Sequence, residues 1–172
     1  HRLLRLNPFE FPDEVHISEH IDRLIDIFNA CWPMYAAMPA VLKESMERAY
    51  VSCGWNLRTS DSAYGIFPTF ADVVRELNMY VDESEYSSDS KGDYKGALGT
   101  RLHSMCNGIL GQIFSGESVS DETLFDSNVI VDLSRVGSIE TKALIMGLLV
   151  MKLNEYRMSQ GGKTLPLKHA VV

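Results

Sequence analysis

The chain has 172 residues, 45% of them apolar and 23% charged, and a formal net charge of -7. A chain of this length and composition can bury a hydrophobic core, which excludes an intrinsically disordered protein. The negative charge argues against a module that binds nucleic acid by itself, because such modules present a basic face. If DNA is a partner, another part of the molecule must provide most of the binding.

The three cysteines, Cys31, Cys53 and Cys106, are widely spaced and form no C-x-x-C pair. They predict neither a disulfide framework nor a thiolate zinc site, and they favour a reducing, cytoplasmic setting. The most apolar stretch, residues 143–151, is too short to cross a bilayer. We therefore expect a cytoplasmic protein with no membrane partner.

In chain order, the first elements are a short strand at residues 2–6 and then mainly helices. The strand ends at "NPFEFP", where two prolines forbid regular structure. Apolar residues at helical spacing follow, and cap residues and early prolines mark the helix starts. The four predicted helices begin at Ser18, Pro39, Thr69 and Tyr94, and Gly54 is expected to close the second. Residues 82–93, between the third and fourth, are polar enough to predict an exposed, mobile connection.

After Asp121 the pattern changes to that of a layered α/β protein. Residues 128–134, "NVIVDLS", form an apolar run without alternation, which is typical of a parallel strand covered on both faces. A helix of about 20 residues capped by Ser138 follows, apolar nearly all round. Residues 167–172, "LKHAVV", then predict a second strand. Strand, helix and strand in this order predict a βαβ unit, and so an α/β fold with parallel strands and a large helical insertion.

These parts are expected to form a single domain. Residues 1–12 are the predicted first core strand and turn, and residues 13–127 are the predicted helical insertion. Residues 128–172 are the predicted strand-helix-strand unit of the core. The sequence shows no internal repeat.

Residues 159–165, "SQGGKTL", end in the manner of a phosphate-binding loop. The complete motif requires a glycine five positions before Gly162, where this chain has Arg157, and it must leave a strand and open a helix. Here a helix comes first and a strand-like run follows. We interpret Gly161 as the left-handed residue that ends a helix, with Lys163 and Thr164 exposed in the turn.

The segment "HISEH", residues 16–20, matches H-x-x-E-H, the inverted signature of zinc proteases. In that motif both histidines must face one way from a single helix. Ser18, however, has the position of a helix cap, which would leave His16 in the preceding loop, and no later segment offers a persuasive third ligand. We therefore predict no metal site and two partly exposed imidazoles at a helix start.

Asp132, Ser134 and Arg135 fall at the end of the predicted strand, and ligands of open α/β sheets bind outside the carboxyl ends of strands. Asp132 and Ser134 are thus candidates for a nucleotide site, where an Asp can orient water and an Arg can stabilise phosphoryl charge. The equal alternative is that Asp132 and Ser134 satisfy backbone donors of the turn, with Arg135 solvated. Arg101, on the fourth predicted helix, has by itself the character of an ordinary exposed position.

The segments that extend over nearly the whole chain are, in order, "RLNPFEFP", "HIDRL", "PMYAAMPAVLKESMERAY", "GW", "FPTFADVV", "YKGALGTRL", "NVIVDLSRVGSIETKALIMGLLVMKL" and "LKHAVV". Together they resemble the HerA-like branch of the HerA/FtsK P-loop ATPases, which are bacterial and archaeal motors that commonly act on DNA. The resemblance implies a RecA-like fold, assembly into a ring that is typically a hexamer, and Mg-ATP hydrolysis at subunit boundaries. It also implies translocation or processing of DNA, often beside a nuclease or another effector.

Both nucleotide-binding motifs of those ATPases are missing from these residues. The resemblance places the Gly-rich Walker A loop upstream of His1 and the acidic residues of Walker B after "HAVV". We therefore predict a motor segment that binds ATP weakly or not at all by itself, with ATP and Mg bound in the intact protein. Arg135 and Arg101 are the candidates for an arginine that reaches a neighbouring subunit's nucleotide. The alternative is a non-catalytic α/β interaction domain that has lost its nucleotide site.

Overall fold

The computed structural model describes residues 3–161, and these residues are mainly helical. The elements, in chain order, are α1 (Ile17–Cys31), α2 (Met38–Ser52), β1 (Trp55–Asn56), β2 (Asp61–Ser62), α3 (Phe70–Glu83), α4 (Ser88–Tyr94), a π-helical segment (Lys95–Gly99), α5 (Thr100–Ser104), α6 (Gly108–Ile113), α7 (Asp121–Phe125) and α8 (Ile139–Ser159). The two short strands pair antiparallel, with Trp55 opposite Ser62.

The predicted α/β fold with parallel strands is wrong, because the described residues contain no parallel sheet. Residues 3–6 form no strand, and their backbone bonds to other parts of residues 3–161 are those from Leu6 N to the Ile113 oxygen and from Val119 N to the Arg5 oxygen. Residues 128–134 form no strand either, and Ile130 is 95% exposed. An apolar, β-branched run becomes a strand only where another backbone completes its ladder. The second predicted core strand, residues 167–172, lies outside the described residues.

The core forms where the apolar stripe of α1 meets α8, while α2 packs mainly on α3. On α1, Ile21, Leu24 and Phe28 are fully buried at helical spacing. On α8, Leu144 and Leu148 are fully buried in the same cluster. The residues predicted as insertion and those predicted as core unit therefore share one hydrophobic core.

The first loop enters this core through its aromatic side chains. Phe9 is fully buried and contacts Phe70 edge-on, with 5.1 Å between the ring centroids. The centroid of the Phe11 ring lies 5.1 Å from the centroid of the Trp55 ring. The Tyr50 hydroxyl donates a 2.5 Å hydrogen bond to the Phe9 carbonyl oxygen, which satisfies a backbone acceptor in a buried turn. The two prolines that prevent a strand here thus produce a turn that α2 and α3 hold in place.

Several predicted helix ends are confirmed. Thr69 precedes α3 in a capping box, in which its backbone N–H donates to the Asp72 carboxylate at 2.8 Å. Ser138 caps α8 by accepting from the Thr141 N–H. Gly54 follows α2 with φ +89°, and Gly161 follows α8 with φ +47°, both in the left-handed region.

The start of α1 and the region of α4 and α5 differ from the prediction. His16, not Ser18, caps α1, because its Nδ1 accepts from the Ser18 N–H at 3.2 Å. The predicted mobile connection at residues 82–93 instead contains most of α4, whose last residue Tyr94 is buried and packs on the Tyr86 ring. The predicted fourth helix is divided by the π-helical segment, where two glycines weaken the regular helix.

Among residues 3–161, no helix combines the length and the apolar character needed to cross a membrane. The Gly-Lys-Thr sequence at residues 162–164, which was predicted to lie in a turn, is outside the described residues.

Candidate functional site

Arg101 lies on α5 and connects it to the loop between α1 and α2. Its Nη1 donates a 2.8 Å hydrogen bond to the Pro33 carbonyl oxygen at an exposed position. An arginine has five N–H donors, and this contact uses one of them. The bond to Pro33 therefore orients the Arg101 side chain within its own subunit. The other N–H groups of the guanidinium remain as donors that can bind an anion.

A cleft of about 490 Å³ opens beside the loop that carries Pro33. Its lining comes from two segments, the start of α2 with its preceding loop and the α4 to π-helical region. The lining residues are Tyr35, Ala36, Met38, Ser90, Gly92, Asp93, Tyr94, Gly96 and Ala97. The volume lies in the range of sites that accept a small molecule or a large side chain.

Two uncommon backbone conformations meet at this cleft. Ala36 has φ +51°, a left-handed conformation that costs a non-glycine residue about 1 kcal/mol or more. Across the cleft, Gly96 and Ala97 belong to the π-helical segment Lys95–Gly99. Strained backbone and π-helical turns both concentrate at functional sites. The cleft and the neighbouring Arg101 are therefore the strongest candidate site on the surface of the described residues.

Asp132, Ser134 and Arg135 lie together in one exposed turn before α8. The Asp132 Oδ1 accepts a 2.8 Å hydrogen bond from the Ser134 N–H. Hydrogen bonds from the Ser134 side chain and backbone, with the nearby Arg135 charge, hold the pKa of Asp132 below its ordinary value. This geometry matches the alternative in which Asp132 satisfies a backbone donor of the turn. The Asp132 carboxylate therefore already has a hydrogen-bond partner in its own loop.

A second charged cluster is buried between α1, α8 and the first turn. His20 and Glu155 are fully buried, and the His20 Nδ1 lies 2.9 and 3.0 Å from the two carboxylate oxygens of Glu155. The His20 Nε2 lies 3.0 Å from the Pro8 carbonyl oxygen. Arg23 closes the cluster with a 3.0 Å bond from Nη1 to the Glu155 carboxylate.

The two histidines of "HISEH" therefore have different structural roles, and their side chains do not point to a common site. His16 remains at the helix start, where its Nε2 is 3.3 Å from the Arg58 carbonyl oxygen. His20 points into the core, against the expectation of a partly exposed imidazole. Within residues 3–161 no group of three or more His, Cys, Asp and Glu side chains is arranged to hold a metal ion.

Lys152 adds a buried cation next to this cluster on α8. It is 3% exposed, and its Nζ donates to the Glu10 carbonyl oxygen at 3.2 Å and lies 3.8 Å from the Asp121 carboxylate. Burial raises the pKa of both Glu10 and Asp121, and the Lys152 charge offsets only part of that effect. The contacts tie the first turn to α7 and α8, so we assign Lys152 a structural role.

The structure thus groups three of the four candidate residues and separates the fourth. Asp132, Ser134 and Arg135 share one turn, and no contact found among residues 3–161 connects them with Arg101. Sequence reasoning missed both the cleft and the buried cluster. The sequence did contain a signal for the buried cluster, since Lys152 and Glu155 follow directly after the apolar run 143–151 of the same helix. No feature of the sequence indicated the cleft, because its shape depends on the left-handed conformation of Ala36 and on the π-helical segment.

Comparison of the chain with protein-family models, with curated protein sequences and with solved structures found no match.

Proposed function

We propose that this chain is the helical part of an ATP-driven DNA motor similar to the HerA-like ATPases. In this proposal, the chain shapes the contact between subunits and brings an arginine towards a nucleotide bound elsewhere in the motor. Two observations support it. The ordered segments resemble that group over nearly the whole chain, and the described segments among them interlock in the structure.

The interlocking is the observation that carries the proposal. The turn at residues 7–11, which belongs to "RLNPFEFP", forms hydrogen bonds with three other segments of the resemblance. The side chains of Tyr50 and His20 bind its carbonyl groups, and its own Asn7 donates a 3.0 Å bond to the Pro68 carbonyl oxygen. Each of these buried hydrogen bonds requires both of its partners, because removal of one partner leaves the polar group of the other unsatisfied in the core. The four segments that these bonds connect therefore fold as one structural unit.

The proposal assigns ATP and Mg to parts of the motor outside these 172 residues. The chain's only Gly-Lys-Thr lacks the first glycine of a phosphate-binding loop. DNA is likewise assigned to other parts of a hexameric ring, because the net charge of this chain is -7. A nuclease or effector is the further partner that the resemblance implies. The free thiols of Cys31, Cys53 and Cys106 support a cytoplasmic setting.

Arg101 is the preferred candidate for the arginine that acts on a neighbour's nucleotide. Its side chain donates to Pro33, in the loop whose Tyr35 and Ala36 line the cleft. Arg135 instead lies in a turn in which the Asp132 carboxylate already accepts a hydrogen bond from the Ser134 backbone. An arginine that stabilises phosphoryl-transfer charge contributes about 10³-fold or more to kcat. In the complete motor, Arg101→Ala should therefore reduce DNA-stimulated hydrolysis by that order without preventing ring assembly. Arg135→Ala is the matched control, and the opposite ranking would assign the role to Arg135.

The gene that encodes this chain provides the first test. A G-x-x-x-x-G-K-[ST] motif in frame upstream of His1 and an acidic pair directly after Val172 would support the motor. A start codon and a stop codon at these two positions would contradict it. A second test is calorimetry of the 172-residue chain with Mg-ATP, for which we expect no binding at micromolar concentrations. Lys163→Ala should then change nothing, and micromolar binding that this variant abolishes would contradict the assignment of ATP to other residues.

The second candidate is a non-catalytic interaction domain, which the cleft favours. Tyr35 is 69% exposed at its edge, and Gly92 and Gly96 leave open space on the opposite wall. A protein partner could insert a side chain there with no nucleotide involved. The two functions separate in the complete protein, since only the motor loses ATP hydrolysis with Arg101→Ala.

A further inference from the structure

The outward face of α8 carries an apolar stripe at the spacing of a helix-pairing seam. From Ile139 onwards its positions are separated alternately by four and three residues, and the stripe consists of Ile139, Ala143, Met146, Val150, Leu153 and Arg157. From Ile139 to Leu153 the spacing averages 3.5 residues, which keeps a stripe in line with a partner helix. The first five positions are apolar, and Arg157 ends the stripe.

The stripe is exposed although the helix is one of the main core elements. Ile139 is 80% exposed, Met146 58% and Val150 48%, while Leu144 and Leu148 on the opposite face are fully buried against the core. Soluble proteins rarely leave a contiguous apolar surface of this kind uncovered. The hydrophobic effect therefore favours a second element on the outer face of α8.

We propose that the outer face of α8 pairs with the same face of a second copy of this chain, with the two helices antiparallel. A self-complementary stripe suits an interface with two-fold symmetry, because each residue then meets the equivalent stripe of the other copy. The proposal goes beyond the motor function, since it concerns a surface remote in sequence from both Arg101 and the cleft.

The charges at the two ends of α8 select the antiparallel arrangement. Glu140 lies at the exposed start of the helix, and Arg157 lies on the stripe in its last turn, where it also bonds Asp126. In an antiparallel pair, Glu140 of one copy approaches Arg157 of the other. A parallel pair would place Arg157 against Arg157 and Glu140 against Glu140, and such like-charge contacts are unfavourable.

Light scattering coupled to size-exclusion chromatography of the 172-residue chain tests the association. We expect a dimer with a micromolar Kd, because a single helix pair gives a small interface. Met146→Glu/Val150→Glu should weaken association at least about tenfold, since it places two charges in the apolar stripe. The control is Met79→Glu/Val51→Glu, the same changes at side chains that are 47% and 54% exposed on α3 and α2. Circular dichroism checks that both variants remain folded.

A monomeric chain at 100 times the expected Kd, about 100 μM, would overturn the proposal and would leave the stripe to residues of the same chain or to another protein. Equal weakening by both double variants would overturn it as well, because the effect would not belong to this face.

The arrangement of the two helices has its own test. At low salt, Glu140→Lys should raise the Kd about threefold to tenfold, and the effect should diminish at high salt. Glu14→Lys, the same charge change at an exposed residue of the first loop, should leave the Kd unchanged. An unaltered Kd for Glu140→Lys would overturn the antiparallel arrangement.

Discussion

His20 and Glu155 form a buried hydrogen-bonded pair although 135 positions separate them in the chain, with 2.9 Å between the imidazole Nδ1 and a carboxylate oxygen. The pair connects α1 with α8. The other ring nitrogen of His20 holds the first turn through the Pro8 carbonyl oxygen. One buried imidazole thus links the first turn, α1 and α8, three of the segments that contribute to the core.

Removal of either member of this pair should strongly destabilise the protein. His20→Ala is expected to lower the free energy of unfolding by about 3–5 kcal/mol, because it leaves the buried Glu155 carboxylate with only Arg23. Denaturant unfolding followed by circular dichroism measures the change. Glu19→Gln, which removes only an exposed ion pair with the same Arg23, should cost less than about 1 kcal/mol. In a double-mutant cycle, additive effects of His20→Ala and Glu155→Gln would contradict a direct interaction.

The same pair predicts a loss of stability in acid. Burial alone would raise the pKa of Glu155, but the His20 hydrogen bond and the Arg23 charge outweigh it and hold the pKa below its ordinary value of 4.5. A carboxyl whose pKa is lowered by folding stabilises the protein above the unfolded-state value and loses this contribution as the pH falls through the folded-state value. Wild-type stability should therefore fall below about pH 4.5.

Glu155→Gln is the control for this pH dependence. The variant should be less stable than the wild type at pH 7, and the difference should shrink as the pH falls below about 4.5. Urea unfolding at a series of pH values gives both curves. A difference that stays constant over this range would show that the Glu155 charge makes no contribution that depends on pH.

Tyr50→Phe isolates a single buried hydrogen bond. The hydroxyl donates to the Phe9 carbonyl oxygen at 2.5 Å, and the residue is fully buried. Its loss should cost about 1–3 kcal/mol, because the carbonyl group is left without a partner in the core. Thermal or urea unfolding checks the value. Tyr64→Phe, the same change at a side chain that is 75% exposed, should have little effect, and equal costs for the two variants would contradict the proposed role of the bond.

Ala36 and Ala37 provide a matched test of backbone strain at the cleft. Ala36 has φ +51°, whereas Ala37 has φ -85°. Ala36→Gly should raise the free energy of unfolding by up to about 1 kcal/mol, because glycine adopts the left-handed conformation without steric cost. Ala37→Gly should instead lower it by a few tenths of a kcal/mol or more, since it adds freedom to the unfolded chain and removes a methyl group that packs against the core. If Ala36→Gly is as destabilising as Ala37→Gly, Ala36 is not strained.

The sequence by itself determined the local parts of the protein. The amphipathic stripe of α1, the Thr69 and Ser138 caps and the glycine that follows α2 depend on residues within a few positions of each other. Spacing and side-chain chemistry are therefore sufficient to predict them. The turn at residues 7–11 was predicted for the same reason, since two prolines act on their own backbone.

Only the tertiary structure decided what the apolar segments pack against. Residues 128–134 have the composition of a buried strand, but a strand needs a ladder partner, and none forms within residues 3–161. The apolar character of α8 predicted a helix covered all round, whereas one face packs on α1 and the face with Met146 is exposed. The pairing of His20 with Glu155 and the cleft beside Arg101 likewise join distant positions, so their geometry arises only when the helices pack together.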